Sequence, residues 1–236
     1  MQIVESYVVA AVNSGVTERK AFSAVQADLQ SWQGDLKRFI DVTVSLIAIL
    51  LLAPLCALIA IAIKLTSGGP VLFRQERIGH EGKPFTILKF RSMTTANDPA
   101  IHRDFVRHAI IGRPAVRPSQ TKLKDDPRVT RVGRLLRRSC LDEVPQFINV
   151  LKGEMSLVGP RPCLPYEYEC YEPWHRNRVK AIPGLTGSWQ VSDRERISFN
   201  EMVKLDIEYV QQWSIWLDLK ILLLTPVAVL SGNGAY

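Results

Sequence analysis

Residues 42–63 read VTVSLIAILLLAPLCALIAIAI and contain no charged side chain. A helix of about twenty apolar residues is long enough to cross the hydrocarbon core of a bilayer. A buried helix of a water-soluble domain rarely stays apolar on every face over such a length. The stretch therefore predicts a helix that enters a membrane, and the rest of the chain is best understood around it.

Pro54 lies near the middle of this stretch, where a proline removes a backbone hydrogen bond and bends a helix. Both flanks are basic, through Lys37, Arg38, Lys64, Arg74 and Arg77. Basic flanks favour the cytoplasmic side, so a straight span would leave one of them outside. A helix that breaks at Pro54 and leaves by the face it entered avoids this. The pattern favours a re-entrant helix–break–helix, and a kinked span stays open as the alternative.

The charge of the chain is concentrated in one region. The net charge is +7 over 236 residues, and residues 74–138 alone hold sixteen Lys and Arg against six Asp and Glu. Such a stretch is ordinarily a solvated surface. Next to a membrane segment it indicates phosphate-rich partners instead, namely anionic lipid, nucleotide or both.

Two other classes of function are not indicated. The sequence has no zinc-finger spacing, RNP-like signature or basic region followed by heptads, so we expect no nucleic-acid partner. Its four cysteines form no C-x-x-C pair, and its four histidines show no metal-ligand spacing. A His/Cys metalloenzyme is therefore not expected, and the cysteines are interpreted as reduced thiols.

A cluster of basic residues runs directly into two carboxylates in residues 134–146, RLLRRSCLDEVPQ. Pro145 can occupy the first turn of a helix, and the apolar residues that follow end at Gly153. Asp142 and Glu143 would then lie at the positive end of that helix, where the dipole and the arginines favour ionised carboxylates. Ionised carboxylates suit a nucleophile or a magnesium ligand, although ordinary helix capping explains the same pattern.

Other cations fall in segments with restricted backbones. Lys89 and Arg91 alternate with apolar residues, which would place both cations on one face of an extended segment. Arg161 lies between two prolines, and a guanidinium with little freedom suits bidentate phosphate binding. Residues 71–73 and 85–90 predict short strands around a loop, and PGLTG at residues 183–187 predicts a tight turn.

The sequence therefore predicts a mainly α-helical protein with short β elements, in four segments. These are a variable extension (1–36), a membrane hairpin (37–65), a catalytic domain (66–200) and C-terminal amphipathic helices (201–236). The apolar residues 221–230 are too short to span a bilayer and follow Trp213 and Trp216. A helix in the headgroup region and a helix packed on the core are both open for this last part.

Taken together, these motifs resemble the bacterial sugar transferase family, the monotopic phosphoglycosyl transferases. The resemblance rests on the proline-broken membrane segment, KFRSM at 89–93, LDEVPQ at 141–146, NVLKGEMSLVGPRP at 149–162 and PGLTG at 183–187, in the family's order. It covers residues 37–230. The short build is most similar to the enzymes that start exopolysaccharide synthesis with galactose or glucose phosphate.

The resemblance implies a reaction in which Asp142 attacks the β-phosphate of a UDP-sugar, releases UMP and carries the phosphosugar until undecaprenyl phosphate accepts it. It makes Glu143 the partner that helps Asp142 to hold Mg²⁺, and Arg137, Arg161, Lys89 and Arg91 candidate phosphate-binding residues. It also places the catalytic domain on the cytoplasmic face of the bacterial inner membrane. Downstream glycosyltransferases would extend the product, and the oligomeric state, including a homo-oligomer, is left open.

Two rival functions are kept. A conventional glycosyltransferase would release UDP, but it normally needs a nucleotide-binding α/β domain for which the chain has little room. A non-enzymatic membrane adaptor would explain the apolar stretch and the charge, but not Asp142 and Glu143 beside arginines. One departure from the family's pattern is Cys140, at a position where a serine cap is common.

Overall fold

The computed structural model describes residues 18–94, 128–192 and 197–230, with side chains from residue 32 onward. For most of the predicted N-terminal extension (1–36), the structure therefore describes no side chains. The contacts within the chain divide it into two units, residues 1–40 and residues 41–236. All interactions described below lie within the second unit.

The described elements confirm a mainly helical protein with short strands. In chain order they are α1 (Glu18–Thr66), β1 (Leu72–Ile78), a 3₁₀ turn (His80–Gly82), β2 (Pro84–Phe90), α2 (Arg131–Arg138), a 3₁₀ turn (Leu141–Glu143), α3 (Gln146–Lys152), β3 (Ser156–Val158), α4 (Pro165–Glu169), a 3₁₀ helix (His175–Lys180), β4 (Gly184–Thr186), α5 (Ser188–Val191), α6 (Phe199–Gln212) and α7 (Ile215–Leu230).

The apolar stretch forms the second half of α1. The part of α1 from Trp32 to Thr66 is long and apolar enough to cross a membrane. Within its most apolar segment, only 11% is buried inside the protein. Leu51 is 75% exposed, which leaves a long apolar surface uncovered. The helix continues through Pro54, so this proline does not end it. The re-entrant course stays a prediction.

Both ends of the apolar stretch are bonded to the folded part of the second unit. Near the start, Asp41 is buried and its Oδ1 accepts a hydrogen bond from the backbone N–H of Leu157 at 2.9 Å. Near the end, Ile63 packs with Phe90 in a buried cluster. Just beyond the helix, the carbonyl of Ser67 accepts a hydrogen bond from Arg91 Nη2 at 2.6 Å. The helix is therefore fastened to the domain at two separated points.

β1 and β2 form the predicted hairpin. The strands are antiparallel, with Leu72 opposite Phe90 and Ile78 opposite Pro84. Gly82 has φ 77°, which only glycine adopts without strain, and it closes the loop before β2. β1 is longer than predicted because its polar residues pair along the whole length of β2.

The predicted tight turn at residues 183–187 is wrong. Gly184–Thr186 is strand β4, which pairs in parallel with β3, Ser156 opposite Gly184 and Val158 opposite Thr186. A Cβ atom on Gly184 would lie 2.0 Å from the backbone nitrogen of Gly159, so only glycine permits this backbone contact. Turn-forming residues are present here because two backbones approach closely, and the contact sets the loop that carries Arg161.

Helix α7 has two different faces. Asp218 and Ile221 are buried, and Asp218 accepts hydrogen bonds from Tyr209 Oη at 2.7 Å and Trp213 Nε1 at 3.1 Å. The opposite face exposes apolar side chains, among them Trp216, Leu223, Val227 and Leu230. One face is thus packed on the core, and the other has the apolar character expected of a helix in the headgroup region.

Candidate active site

Three of the predicted site residues meet at one point. Lys89 Nζ on β2 donates a hydrogen bond to Glu143 Oε1 at 2.6 Å, and Arg161 Nη1 lies 3.8 Å from the same oxygen. The side chains are 15% (Lys89), 21% (Glu143) and 31% (Arg161) exposed, so the cluster is partly shielded but open to solvent. Burial lowers the pKa of Lys89, and the negative charge of Glu143 opposes this shift.

Asp142 lies in the same 3₁₀ turn as Glu143, and its charge also acts to raise the pKa of Lys89. This turn directly precedes α3, which begins at Gln146 with Pro145 as its N-cap, so the two carboxylates lie just before the N-terminal end of that helix, as predicted. Cys140 enters the turn with φ 56°, an uncommon left-handed conformation for a residue with a side chain. The carboxylates are therefore placed by this turn and by the neighbouring cations.

The other two predicted cations lie elsewhere. Arg91 is 5% exposed and donates to the carbonyl and the hydroxyl of Ser67, at the C-terminal end of α1. Arg137 Nε on α2 donates to Ser92 Oγ at 2.9 Å. Neither lines the cavity at Glu143. Their roles in phosphate binding stay predictions, and the contacts of Arg91 are those of a residue that holds the end of α1.

The cavity beside Glu143 contains a further cation, Arg77. Its lining comprises Arg77, Ile87, Lys89, Glu143, Gln146, Arg161, Pro162, Gly184 and Leu185. Arg77 Nη1 donates to the carbonyl of Pro162 at 3.1 Å, and its buried Nε has no hydrogen-bond partner among the described residues. Burial lowers the pKa of Arg77, while Glu167 acts in the opposite direction.

Sequence reasoning treated Arg77 only as a flank of the membrane segment. A signal was present, because alternation along both strands of the predicted hairpin places Arg77, Ile87 and Lys89 on one face. This alternation identifies Arg77 as a site residue only once the pairing of the two strands is known, because the pairing places Arg77 opposite Phe85. Gln146 carried no comparable signal in the sequence, and in the structure it is 2% exposed.

Asn149 explains how Lys89 and Glu143 come together. It is fully buried on α3, and its Oδ1 accepts a hydrogen bond from the backbone N–H of Leu88 at 3.0 Å. Its Nδ2 donates to the carbonyl of Thr86 at 2.7 Å and to Glu154 Oε2 at 2.7 Å. The amide thus replaces a strand partner for β2, which fixes the strand bearing Lys89 against the segment bearing Glu143.

Replacing Asn149 with Ala should destabilise the protein by about 2–4 kcal/mol, because it leaves two partly buried backbone groups of β2 without their partner. Asn149→Asp should destabilise the protein less than Asn149→Ala, because a carboxylate still accepts the hydrogen bond from the N–H of Leu88. The carboxylate cannot donate to the carbonyl of Thr86, so some stability should still be lost. Thermal unfolding of the purified protein in detergent measures both. Equal stability of all three proteins would show that the amide does not hold β2.

The loop bearing Arg161 is held from behind by a buried ion pair. Arg178 and Asp206 are 3% and 1% exposed, and the Arg178 guanidinium donates to the Asp206 carboxylate. Arg178 also donates to Tyr171 Oη at 2.8 Å and to the backbone carbonyl of Arg161 at 3.2 Å. With Arg77 on the carbonyl of Pro162, two guanidinium groups hold successive carbonyls of this loop.

Removing one member of this pair should be more harmful than removing both. Arg178→Ala should destabilise the fold by about 3–5 kcal/mol, because Asp206 is left as a buried charge without its cation. The double variant Arg178→Met with Asp206→Leu should recover part of that loss. Unfolding temperatures in detergent measure the difference, and a double variant as unstable as the sum of the single variants would contradict the role of charge.

The geometry of this site defines a class of protein. Two adjacent carboxylates are bordered by Lys89, Arg77 and Arg161, which is a charge arrangement for phosphate esters. The cations are carried by a domain attached to both ends of an apolar helix stretch, which is typical of an enzyme that works at a membrane. The chain belongs to the bacterial sugar transferase family, whose model matches residues 32–232.

Curated relatives agree with this assignment and with the resemblance read from the motifs. The chain is 44% identical over 203 residues to the galactosyl transferase CpsE of Streptococcus agalactiae, covering 84% of this chain and 43% of that protein. It is 42% identical to the exopolysaccharide production protein ExoY of Rhizobium meliloti, covering 86% and 89%. It is also 42% identical to the undecaprenyl-phosphate galactose phosphotransferase of Salmonella typhimurium, covering 85% and 42%.

These relatives differ in length. The chain spans less than half of the Streptococcus and Salmonella proteins but nearly nine-tenths of ExoY. The family match runs from residue 32 to residue 232 and so includes the membrane stretch, the Asp142–Glu143 turn and the Arg161 loop of this chain.

Proposed function

We propose that the protein transfers a sugar-1-phosphate, with galactose or glucose as the sugar, from a UDP-sugar to undecaprenyl phosphate and so starts the assembly of an exopolysaccharide. The observation that carries the proposal is the contact of Glu143 with Lys89 and Arg161, directly beside Asp142. The names of the Salmonella relative and of ExoY supply the substrate class and the polysaccharide. Downstream glycosyltransferases would then extend the lipid-linked sugar.

The reaction would proceed in two displacements at one phosphorus atom. A carboxylate oxygen of Asp142 bonds to the β-phosphorus of the UDP-sugar, the bond to the bridging oxygen breaks, and UMP leaves with that electron pair. A phosphate oxygen of undecaprenyl phosphate then bonds to the same phosphorus, and the carboxylate of Asp142 leaves. Lys89, Arg161 and Arg77 would neutralise the charge of the phosphates during both steps.

The residues fit a magnesium ion that arrives with the substrate. No group of three or more His, Cys, Asp and Glu that could hold a metal occurs in the described residues. Mg²⁺ commonly uses one or two carboxylates together with substrate phosphates and water, and Asp142 and Glu143 supply two. When bound, Mg²⁺ would withdraw negative charge from the diphosphate.

The attachment of the membrane stretch supports a re-entrant course. Asp41 and Ser67 are bonded to the same folded unit, through Leu157 and Arg91. A straight helix would separate them by about 39 Å, more than the roughly 30 Å core of a bilayer. A domain on one side of the membrane binds both ends most simply if the helix bends at Pro54 and returns. With such a course the site would lie at the inner-membrane surface, on the cytoplasmic face where UDP-sugars occur.

The nucleotide product tests the proposal. The purified protein in nanodiscs is incubated with Mg²⁺, undecaprenyl phosphate and UDP-sugars in turn. We expect UMP with UDP-galactose or UDP-glucose, because the β-phosphate leaves with the sugar. Release of UDP would instead indicate a glycosyltransferase that transfers the sugar alone. No nucleotide release with any UDP-sugar would favour the adaptor.

A further inference from the structure

Helix α2 has an exposed face made almost entirely of arginine. Arg131, Arg134, Leu135 and Arg138 are all exposed, and their spacing of three, one and three residues places them on one side of the helix. Leu135, at the centre of this set, is 66% exposed. We call these four residues the arginine face.

The opposite side of α2 is fixed against the membrane helix. Leu136 is 2% exposed and packs in one cluster with Ile59 and Ile63 of α1. A Cβ atom on Gly133 would lie 1.9 Å from the carbonyl oxygen of Ser92, so the backbones touch there. The arginine face therefore has a set position beside the last turns of the apolar stretch.

Among the described residues, no acidic side chain neutralises the charge of the arginine face. Helix α2 contains no acidic residue. Among the residues that the structure describes, no carboxylate forms an ion pair with Arg131, Arg134 or Arg138. Like charges three and four residues apart on a helix repel one another, so the face is unfavourable until an anion covers it. The exposed Leu135 among the arginines fits a boundary between anionic groups and hydrocarbon better than bulk water.

The end of α1 indicates where the arginine face lies relative to the membrane surface. Lys64 and Leu65 are exposed in its last turn, directly after Ile63, which packs with Leu136 of α2. A basic residue at the end of an apolar helix marks the headgroup region of a bilayer. Helix α2 thus lies beside the point where α1 meets the membrane surface.

We propose that the arginine face binds the anionic headgroups of bilayer phospholipids. This rests on the proposed membrane attachment of α1. The contact would set the distance between the active site and the membrane surface, because Arg138 precedes Asp142 by only four residues along the chain. The occupant is bulk phospholipid and not the lipid acceptor, since none of the four side chains lines the cavity at Glu143.

The test measures lipid selectivity, which does not require turnover. The full-length protein is placed in phosphatidylcholine nanodiscs with a trace of spin-labelled phosphatidylglycerol or spin-labelled phosphatidylcholine. The test variant carries Arg131→Gln, Arg134→Gln and Arg138→Gln. The control variant removes the same charge from exposed lysines on other elements, with Lys152→Gln, Lys180→Gln and Lys204→Gln.

We expect the native protein and the control to prefer phosphatidylglycerol over phosphatidylcholine. The arginine variant should lose about fivefold in selectivity for each arginine that contacts a headgroup, and salt should weaken the preference of the native protein. Unfolding temperatures should be unchanged, because the substituted side chains are exposed. Equal selectivity in all three proteins would overturn the proposal. So would unchanged selectivity combined with a raised KM for undecaprenyl phosphate, which would assign the face to the acceptor. Failure of the transfer reaction itself would leave this measurement unaffected.

Discussion

Asp142→Asn is expected to lower turnover by about 10⁴-fold or more, the size of loss seen when a covalent nucleophile is removed. The amide has the shape of the carboxylate but cannot attack phosphorus at a useful rate. It also removes one negative charge beside Lys89, whose pKa Asp142 acts to raise. The rate of UMP release in nanodiscs with saturating UDP-sugar and undecaprenyl phosphate measures the effect.

The matched control for this variant is Glu208→Gln, which removes an exposed carboxylate on α6, away from the cavity. It should retain full activity, and both variants should unfold at the temperature of the native protein. An Asp142→Asn enzyme that keeps a tenth or more of its activity would exclude Asp142 as the nucleophile. Glu143 would then be the next carboxylate to consider.

Glu143→Gln should give the second largest loss, about 10²–10³-fold in turnover. Its Oε1 accepts the hydrogen bond from Lys89 at 2.6 Å and faces Arg161, so a neutral amide leaves both cations without their shared anion. We also expect the Mg²⁺ concentration for half-maximal activity to rise, because one of the two carboxylates proposed to hold the ion is lost. Titration of Mg²⁺ against the rate of UMP release separates these two effects.

Glu81→Gln is the control for the loss of an ion pair alone. Glu81 contacts Lys83 at 3.0 Å, but the two side chains are 58% and 75% exposed, and such surface pairs contribute little. This variant should resemble the native enzyme in rate and in Mg²⁺ dependence. If Glu143→Gln changed the rate but not the Mg²⁺ dependence, Glu143 would orient Lys89 and Arg161 without holding the metal.

The sequence predicted those parts of the protein that depend on local patterns. The β1–β2 hairpin follows from two strand-forming runs around the Gly79–Pro84 loop, and α3 ends at Gly153 in the left-handed conformation that glycine favours. Composition predicted that residues 42–63 form one long apolar helix, and they form the second half of α1. The family followed from long motifs in a fixed order, and the match over residues 32–232 confirms it.

The parts that could not be predicted depend on contacts between distant residues. Asn149 bonds to Leu88 across 61 positions of sequence, and Arg178 reaches Asp206 across 28, with no periodic pattern that signals either pair. The parallel pairing of β3 with β4 was missed because three-residue strands have too few positions to show alternation. The alternation of Arg91 with Lys89 also gave no signal that Arg91 Nη2 donates to Ser67 at the end of α1.

The central claim is that the phosphosugar passes through a covalent bond to Asp142, and intact-protein mass spectrometry tests it most directly. The protein is incubated with UDP-sugar and Mg²⁺ in the absence of undecaprenyl phosphate. The account predicts that the intact protein gains the mass of one hexose phosphate, that one UMP is released per protein, and that the adduct is lost when the acceptor is added. Proteolysis of the adduct should locate the added mass on the peptide that contains Asp142. No adduct in the native protein, or the same adduct in the Asp142→Asn variant, would contradict it.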